Sequence, residues 1–165
     1  MTMSKALGGL GFPISGLAFK EKLNTLPQGK HVGTFRGNVL AYAAGAAAIR
    51  YMVENDLAGH ALALGEVLLA GLRELERHSR IVGDVRGLGL MLGIELVKDK
   101  DGREPAPELA AAVRAACHRR GLLIEVGGHF FNVARFLPPL VLTGELAEKG
   151  LDIFAQAVRE VEEAS

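Results

Sequence analysis

The sequence predicts a mixed α/β fold, and three observations carry that reading. Two long stretches place apolar residues at spacings of three and four, the period of helices packed on one side. From Leu88 the period switches to two, as in a half-buried strand. The 21 glycines among 165 residues, against a usual share of about 7%, are scattered among the apolar segments and mark turns and close approaches rather than low complexity.

The elements follow in order. Gly8 to Pro13 reads as a turn-rich loop and Ile14 to Phe19 as a short strand. Lys20 to Leu26 begins a helix that Pro27 and Gly29 stop. From Gly37 to about Asn55 the alanine-rich run Ala41 to Ala48 has strong helix propensity, and its small side chains suit packing against another surface. In the next helix Leu57, Ala61, Leu64, Leu68, Leu72 and Leu75 form one apolar stripe, which core packing explains completely. Along the strand that follows, Leu88, Leu90, Leu92, Ile94 and Leu96 face one way and Gly89, Met91, Gly93, Glu95 and Val97 the other. Asp99 to Gly102 supplies a turn. Pro105 and Pro107 open a helix with Leu109, Val113, Cys117 and Arg120 on one face, so Cys117 is a core thiol. Gly121 ends it. Leu122 to Val126 and Val133 to Leu137 read as strands, the second stopped by Pro138 and Pro139. Thr143 caps a last helix from about Gly144 to Glu163, with Leu151, Phe154, Val158 and Val161 inward.

Composition narrows the function. Nineteen Lys and Arg balance nineteen Asp and Glu, which lacks the basic excess of a nucleic-acid binder. The single Cys117 and the five His, His31 included, show no metal-ligand spacing. No run reaches the roughly 18 apolar residues of a membrane span, and glycines and Pro13 interrupt the apolar N-terminal stretch, so a soluble, cytoplasmic chain is expected. Within the balance, residues 1 to 55 carry six Lys and Arg against two Asp and Glu, an excess that suits a small anion or a solvated face.

Three segments are not explained by propensity: Ser4-Lys5-Ala6-Leu7-Gly8-Gly9, the stretch from His31 through Gly33-Thr34-Phe35-Arg36-Gly37-Asn38, and Asn132-Val133-Ala134-Arg135-Phe136-Leu137-Pro138-Pro139-Leu140. Each alone has a plain reading. Lys5 reads as an N-terminal cation, Gly33-Thr34 as a tight turn or a phosphate cradle, and Arg135 as a guanidinium that snorkels, pairs with a carboxylate or binds an anion.

Taken together and in this order, the segments resemble the C-terminal part of the class III, or omega-type, aminotransferases, with Val85 to Gly93 resembling a strand of their small domain. The resemblance covers essentially the whole chain. It implies the fold type I of pyridoxal 5′-phosphate transferases, with residues 1–55 as the end of the cofactor-binding large domain and 56–165 as a small α+β domain. It makes Lys5 the catalytic lysine that carries the cofactor, Gly33 and Thr34 the phosphate turn for a cofactor held mainly by a second subunit, and Arg135 the binder of the substrate carboxylate. A lysine suits the first role because a desolvated amine sheds its proton and becomes a nucleophile, and a planar guanidinium suits the last. Arg36 receives no role of its own. The amino acid and 2-oxo acid partners nearest the pattern Leu123 to His129 and Arg135 to Leu140 are L-2,4-diaminobutyrate and 2-oxoglutarate, giving aspartate 4-semialdehyde and glutamate; ornithine and 4-aminobutyrate enzymes share the core motifs.

The family places a phosphate loop, a ring-stacking aromatic and an aspartate paired with the pyridine nitrogen upstream of these motifs, and no residue here replaces them. The expected protein is therefore the C-terminal portion of a transaminase, working as a homodimer or with a complementing N-terminal half. Two other readings stand beside it: a non-catalytic domain that only associates with a partner chain, and an independent phosphate-binding module using Gly33, Thr34 and Arg135.

Overall fold

A computed structural model describes residues 1–9, 11–30 and 32–165. Leu10 of the expected loop and His31 at the head of the second motif lie outside the described residues. The chain divides into two compact units, Met1–Asp56 and Leu57–Ser165.

In the first unit β1 (Thr2–Met3) pairs antiparallel with β2 (Gly16–Leu17), Thr2 opposite Leu17 and Met3 opposite Gly16. The strand expected over Ile14 to Phe19 thus shrinks to two residues, because its one partner is itself two residues long. The helix expected over Lys20 to Leu26 is a single 3₁₀ turn, Glu21–Leu23. Seven residues closed by Pro27 are too few to offset the cost of helix nucleation. Helix α1 (Val39–Glu54) forms as expected and starts at Asn38, whose Oδ1 accepts from the amides of Leu40 at 3.0 Å and Ala41 at 3.2 Å. Its small residues bring it against the 3₁₀ turn Lys5–Gly8: a Cβ on Gly45 would stand 2.7 Å from the Leu7 carbonyl oxygen. Among the described residues of this unit only Gly8, Ala41 and Gly45 are buried.

The second unit has its own core. Helix α2 (Leu57–His78) buries the whole expected stripe, and Leu72 has no exposure at all. The single strand expected from Leu88 is instead a hairpin of β3 (Val82–Leu88) and β4 (Met91–Leu96), turning at Gly89 and Leu90. Gly89 takes a φ of +55°, which the tight hairpin turn demands and a side chain disfavours. Leu88 therefore lies on the opposite face from Leu92, Ile94 and Leu96, exposed where the alternation alone places it inside.

The Asp99 turn forms, with the Gly102 amide donating to Asp99 Oδ1 at 2.6 Å. Helix α3 (Pro107–Arg119) buries Ala110, Val113, Ala116 and Cys117, so its core face is turned slightly from the expected one, and Leu109 and Arg120 lie at its edge. Strand β5 is Glu125–Gly127, later and shorter than Leu122 to Val126, and β6 is Val133–Phe136. The Thr143 hydroxyl accepts from the Leu146 amide at the start of α4 (Gly144–Ala164).

The sheet order is β3-β4-β6-β5, all antiparallel. Its inner face, with Val85, Ile94, Ala134 and Phe136, packs on the three helices; Phe136 meets Phe154 of α4 edge to face at 5.1 Å between centroids. Its outer face carries Arg86, Met91 and Arg135.

Candidate active site

Lys5 opens the 3₁₀ turn with a φ of +55°, in the left-handed region that a lysine occupies only at a cost of order 1 kcal/mol. Hydrogen bonds from the Leu7 amide to the Ser4 carbonyl and from the Gly9 amide to the Ala6 carbonyl hold the strained turn, and α1 backs it. The constraint falls on a residue that lines a cavity of about 620 Å³.

The other wall comes from the turn before α1. The Arg36 amide donates to the Gly33 carbonyl at 3.0 Å, Gly37 takes a φ of +73°, and the chain enters α1 at Asn38. Gly33, Thr34 and Arg36 line the same cavity as Lys5, with the hydroxyl residues Ser4, Ser15 and Tyr42. Among the described residues the lining includes Lys5 and Arg36 and no Asp or Glu. Within one chain Lys5, Gly33 and Thr34 line this same cavity. These groups fit a phosphate-bearing aldehyde: an amine for the carbonyl carbon, with hydroxyls, a glycine turn and positive charge for the phosphate. The α1 terminus adds little, because Asn38 already occupies two of its amides.

Arg135 belongs to the second unit. On β6 it faces Gly93 across one ladder and Glu125 across the other. Its Nη2 lies 3.8 Å from Glu125 Oε2, with both side chains well exposed, so the pair is weak and open to exchange for another carboxylate. The guanidinium lies over Gly127, where a Cβ would come within 2.9 Å of Nε and 3.0 Å of Cζ. On the same face Arg86 is engaged by Asp84 and Glu95, which hold its guanidinium still more firmly protonated. Beyond Arg135, Leu122, Ile124, Phe136 and Pro138 line an apolar cavity of about 270 Å³. Glu125 and Gly127 fall within the pattern Leu123 to His129, but that pattern gives neither a role toward Arg135. A signal for them exists all the same: two period-two segments flanking the turn 128–132 pair Glu125 with Arg135 once the hairpin register is set.

Residues 1–158 match the family model for aminotransferase class-III, and the chain belongs to that family, whose cofactor is pyridoxal 5′-phosphate. Among relatives, the 5-aminovalerate aminotransferase DavT of Pseudomonas aeruginosa is 40% identical, covering 97% of this chain and 38% of its own length. The diaminobutyrate–2-oxoglutarate aminotransferase of Haemophilus influenzae is also 40% identical, over 96% of this chain and 36% of that protein. In structure, an aminotransferase of Bacillus anthracis superposes with a TM-score of 0.88 at 30% identity, covering 96% of this chain and 38% of the other. The expected α/β fold of these transferases is thus present over the matched part, and the chain spans under two fifths of the length of each of these proteins. No helix among the described residues is long and apolar enough to cross a membrane.

Proposed function

We propose that this chain supplies the lysine-bearing part of a cytoplasmic aminotransferase that moves the terminal amine of L-2,4-diaminobutyrate to 2-oxoglutarate, giving aspartate 4-semialdehyde and glutamate. The observation that carries the reading is Lys5, strained into a left-handed conformation beside a cavity that Gly33 and Thr34 share and whose lining includes no acid. Pyridoxal 5′-phosphate, when bound, supplies an electron sink that lets a proton leave the carbon bearing the substrate amine. Lys5 holds the cofactor through its amine and, once freed by substrate, takes that proton and returns it. Thr34 and the turn at Gly33 bind the phosphate. Arg135 takes the substrate carboxylate in exchange for Glu125, its planar fork matching two oxygens at once. Two relatives of equal identity bear the names of different amino donors, so diaminobutyrate rests on the motifs around Arg135 and Arg36.

The reaction belongs to an assembly. The first unit leaves Phe35 92%, Val39 75%, Leu40 68% and Val53 74% exposed, an apolar surface that a second copy or a complementing N-terminal half would cover. That same surface favours a second reading, in which the chain associates with a partner and does no chemistry. Titration with pyridoxal 5′-phosphate, of the chain alone and mixed with the upstream half of a relative, separates the two. The enzymatic reading expects a cofactor absorption band that disappears in Lys5→Ala; no band under either condition leaves association only.

A further inference from the structure

Arg135 and Glu125 stand directly opposite each other across the β5–β6 ladder, joined by a charge contact alone. At 3.8 Å from Nη2 to Oε2 the contact is too long for a hydrogen bond, so neither the guanidinium donors nor the carboxylate oxygens are committed by it. Gly127 fixes where the guanidinium lies, since a Cβ there would occupy its place, 2.9 Å from Nε and 3.0 Å from Cζ. On the other side Gly93 of β4 faces Arg135 with no side chain. The arginine therefore opens on a groove of about 500 Å³ that Met91, Val133 and Leu137 also line, room for the carbon chain of a ligand. Asp84 and Glu95 on this face are already held by Arg86, so Glu125 is the carboxylate poised beside Arg135.

A cation and an anion side by side on adjacent strands, roughly 5 Å apart, match a zwitterion. In an α-amino acid a carboxylate and an ammonium share one carbon. The carboxylate meets the fork of Arg135, and the Glu125 oxygens it displaces are left to accept from the ammonium. A carboxylate without that ammonium gains only the first contact and brings its charge beside an unpaired Glu125. We infer that Glu125 is a specificity residue: it accepts from the α-ammonium of the amino donor. It thereby favours donors that carry an α-amino group besides the terminal amine that reacts, over 4-aminobutyrate or 5-aminovalerate, which carry the terminal amine alone. The inference rests on the reading of Arg135 as the carboxylate binder and does not depend on Lys5.

The test is a nitrogen-15 NMR titration of the 165-residue chain at low salt, following the Arg135 Nε and Gly127 amide signals. The probes are L-2,4-diaminobutyrate, L-2-aminobutyrate and 4-aminobutyrate; the last two are isomers of equal net charge, so their contrast reads the position of the ammonium. Wild type, Glu125→Gln, Glu125→Asp and Arg135→Gln are compared. With 76% of the Glu125 side chain exposed, solvent screens the gain, and wild type is expected to prefer either α-amino probe over 4-aminobutyrate by about three- to tenfold. In Glu125→Gln the preference shrinks to within about twofold while 4-aminobutyrate binds at least as well as before, and Glu125→Asp keeps part of the preference. Arg135→Gln loses all three. A preference that survives Glu125→Gln, or equal weakening of every probe, overturns the inference and leaves Arg135 as the carboxylate site. No shift with any probe, or shifts that persist in Arg135→Gln, overturns the reading of Arg135 along with it.

Discussion

The close approach of α2 to the β3–β4 turn makes a sharp prediction, because two opposing effects can be weighed. Gly65 lies in the interior of α2, where replacing glycine by alanine ordinarily stabilises by about 1 kcal/mol. Here the added Cβ would stand 2.3 Å from the Gly89 carbonyl oxygen, 2.5 Å from its carbonyl carbon and 2.6 Å from its Cα. All three are backbone atoms of a tight turn, so relief requires the helix or the hairpin to move as a body. Overpacking a closed core costs about 1 to 3 kcal/mol, and a clash with backbone belongs at or beyond the upper end. The propensity gain recovers only part, so Gly65→Ala is expected to destabilise the second unit by about 2 kcal/mol. For a unit of about a hundred residues that is a fall of roughly 8 to 12 °C in the unfolding midpoint.

Gly71 is the control: its Cβ would meet Leu151 Cδ2 at 2.2 Å, nominally as tight, but that atom is the end of a rotatable side chain. Gly71→Ala should stay within about 1 kcal/mol of wild type, the helix gain offsetting a shifted leucine. Far-UV circular dichroism through a urea series on the three proteins gives both differences. A Gly65→Ala protein as stable as wild type, or more so, would refute the packing described for α2 and the hairpin.

Other predictions concern the core and its closure. The Ser79 hydroxyl donates to Glu162 Oε1 at 3.1 Å and accepts from the amides of Ile81 and Val82, each at 3.2 Å, so Ser79→Ala orphans buried amides and should cost about 1 to 3 kcal/mol in the same denaturation assay. Burial pushes the Cys117 thiol up to about 11 from 9.0, with Arg120 pulling partly the other way. Between those values the unfolded chain has released the proton and the folded one keeps it, so stability falls as pH rises through that window, by about 2 to 3 kcal/mol in all. Cys117→Ala should flatten that part of the pH profile, whatever its own packing cost.

How much of the fold is legible in the sequence follows from which forces are local. The stripe of α2, the Thr143 start of α4 and the burial of Cys117 depend on neighbours within a turn or two, so residue spacing and side-chain chemistry are enough to read them. The hairpin at Gly89 is not legible in that way, because Val82 to Leu88 lacks clear alternation and the strand exists by pairing with β4. The same holds at the site. Motifs name Lys5, Gly33, Thr34 and Arg135, but the shared cavity joins residues nearly thirty positions apart, and the contact of Arg36 with Gly33 depends on a turn conformation that composition does not encode. Glu125 becomes visible as the partner of Arg135 only with the register of β5 and β6.

The central claim is that Lys5 is the residue that takes the cofactor aldehyde. Borohydride reduction of the chain after incubation with pyridoxal 5′-phosphate, followed by peptide mass mapping, tests it most directly, since reduction converts a carbonyl held on an amine into a permanent pyridoxyl label. The account predicts the label on the peptide containing Lys5, suppressed by competing inorganic phosphate. A label spread over Lys20, Lys22, Lys30, Lys98, Lys100 and Lys149 with Lys5 unmodified would contradict it.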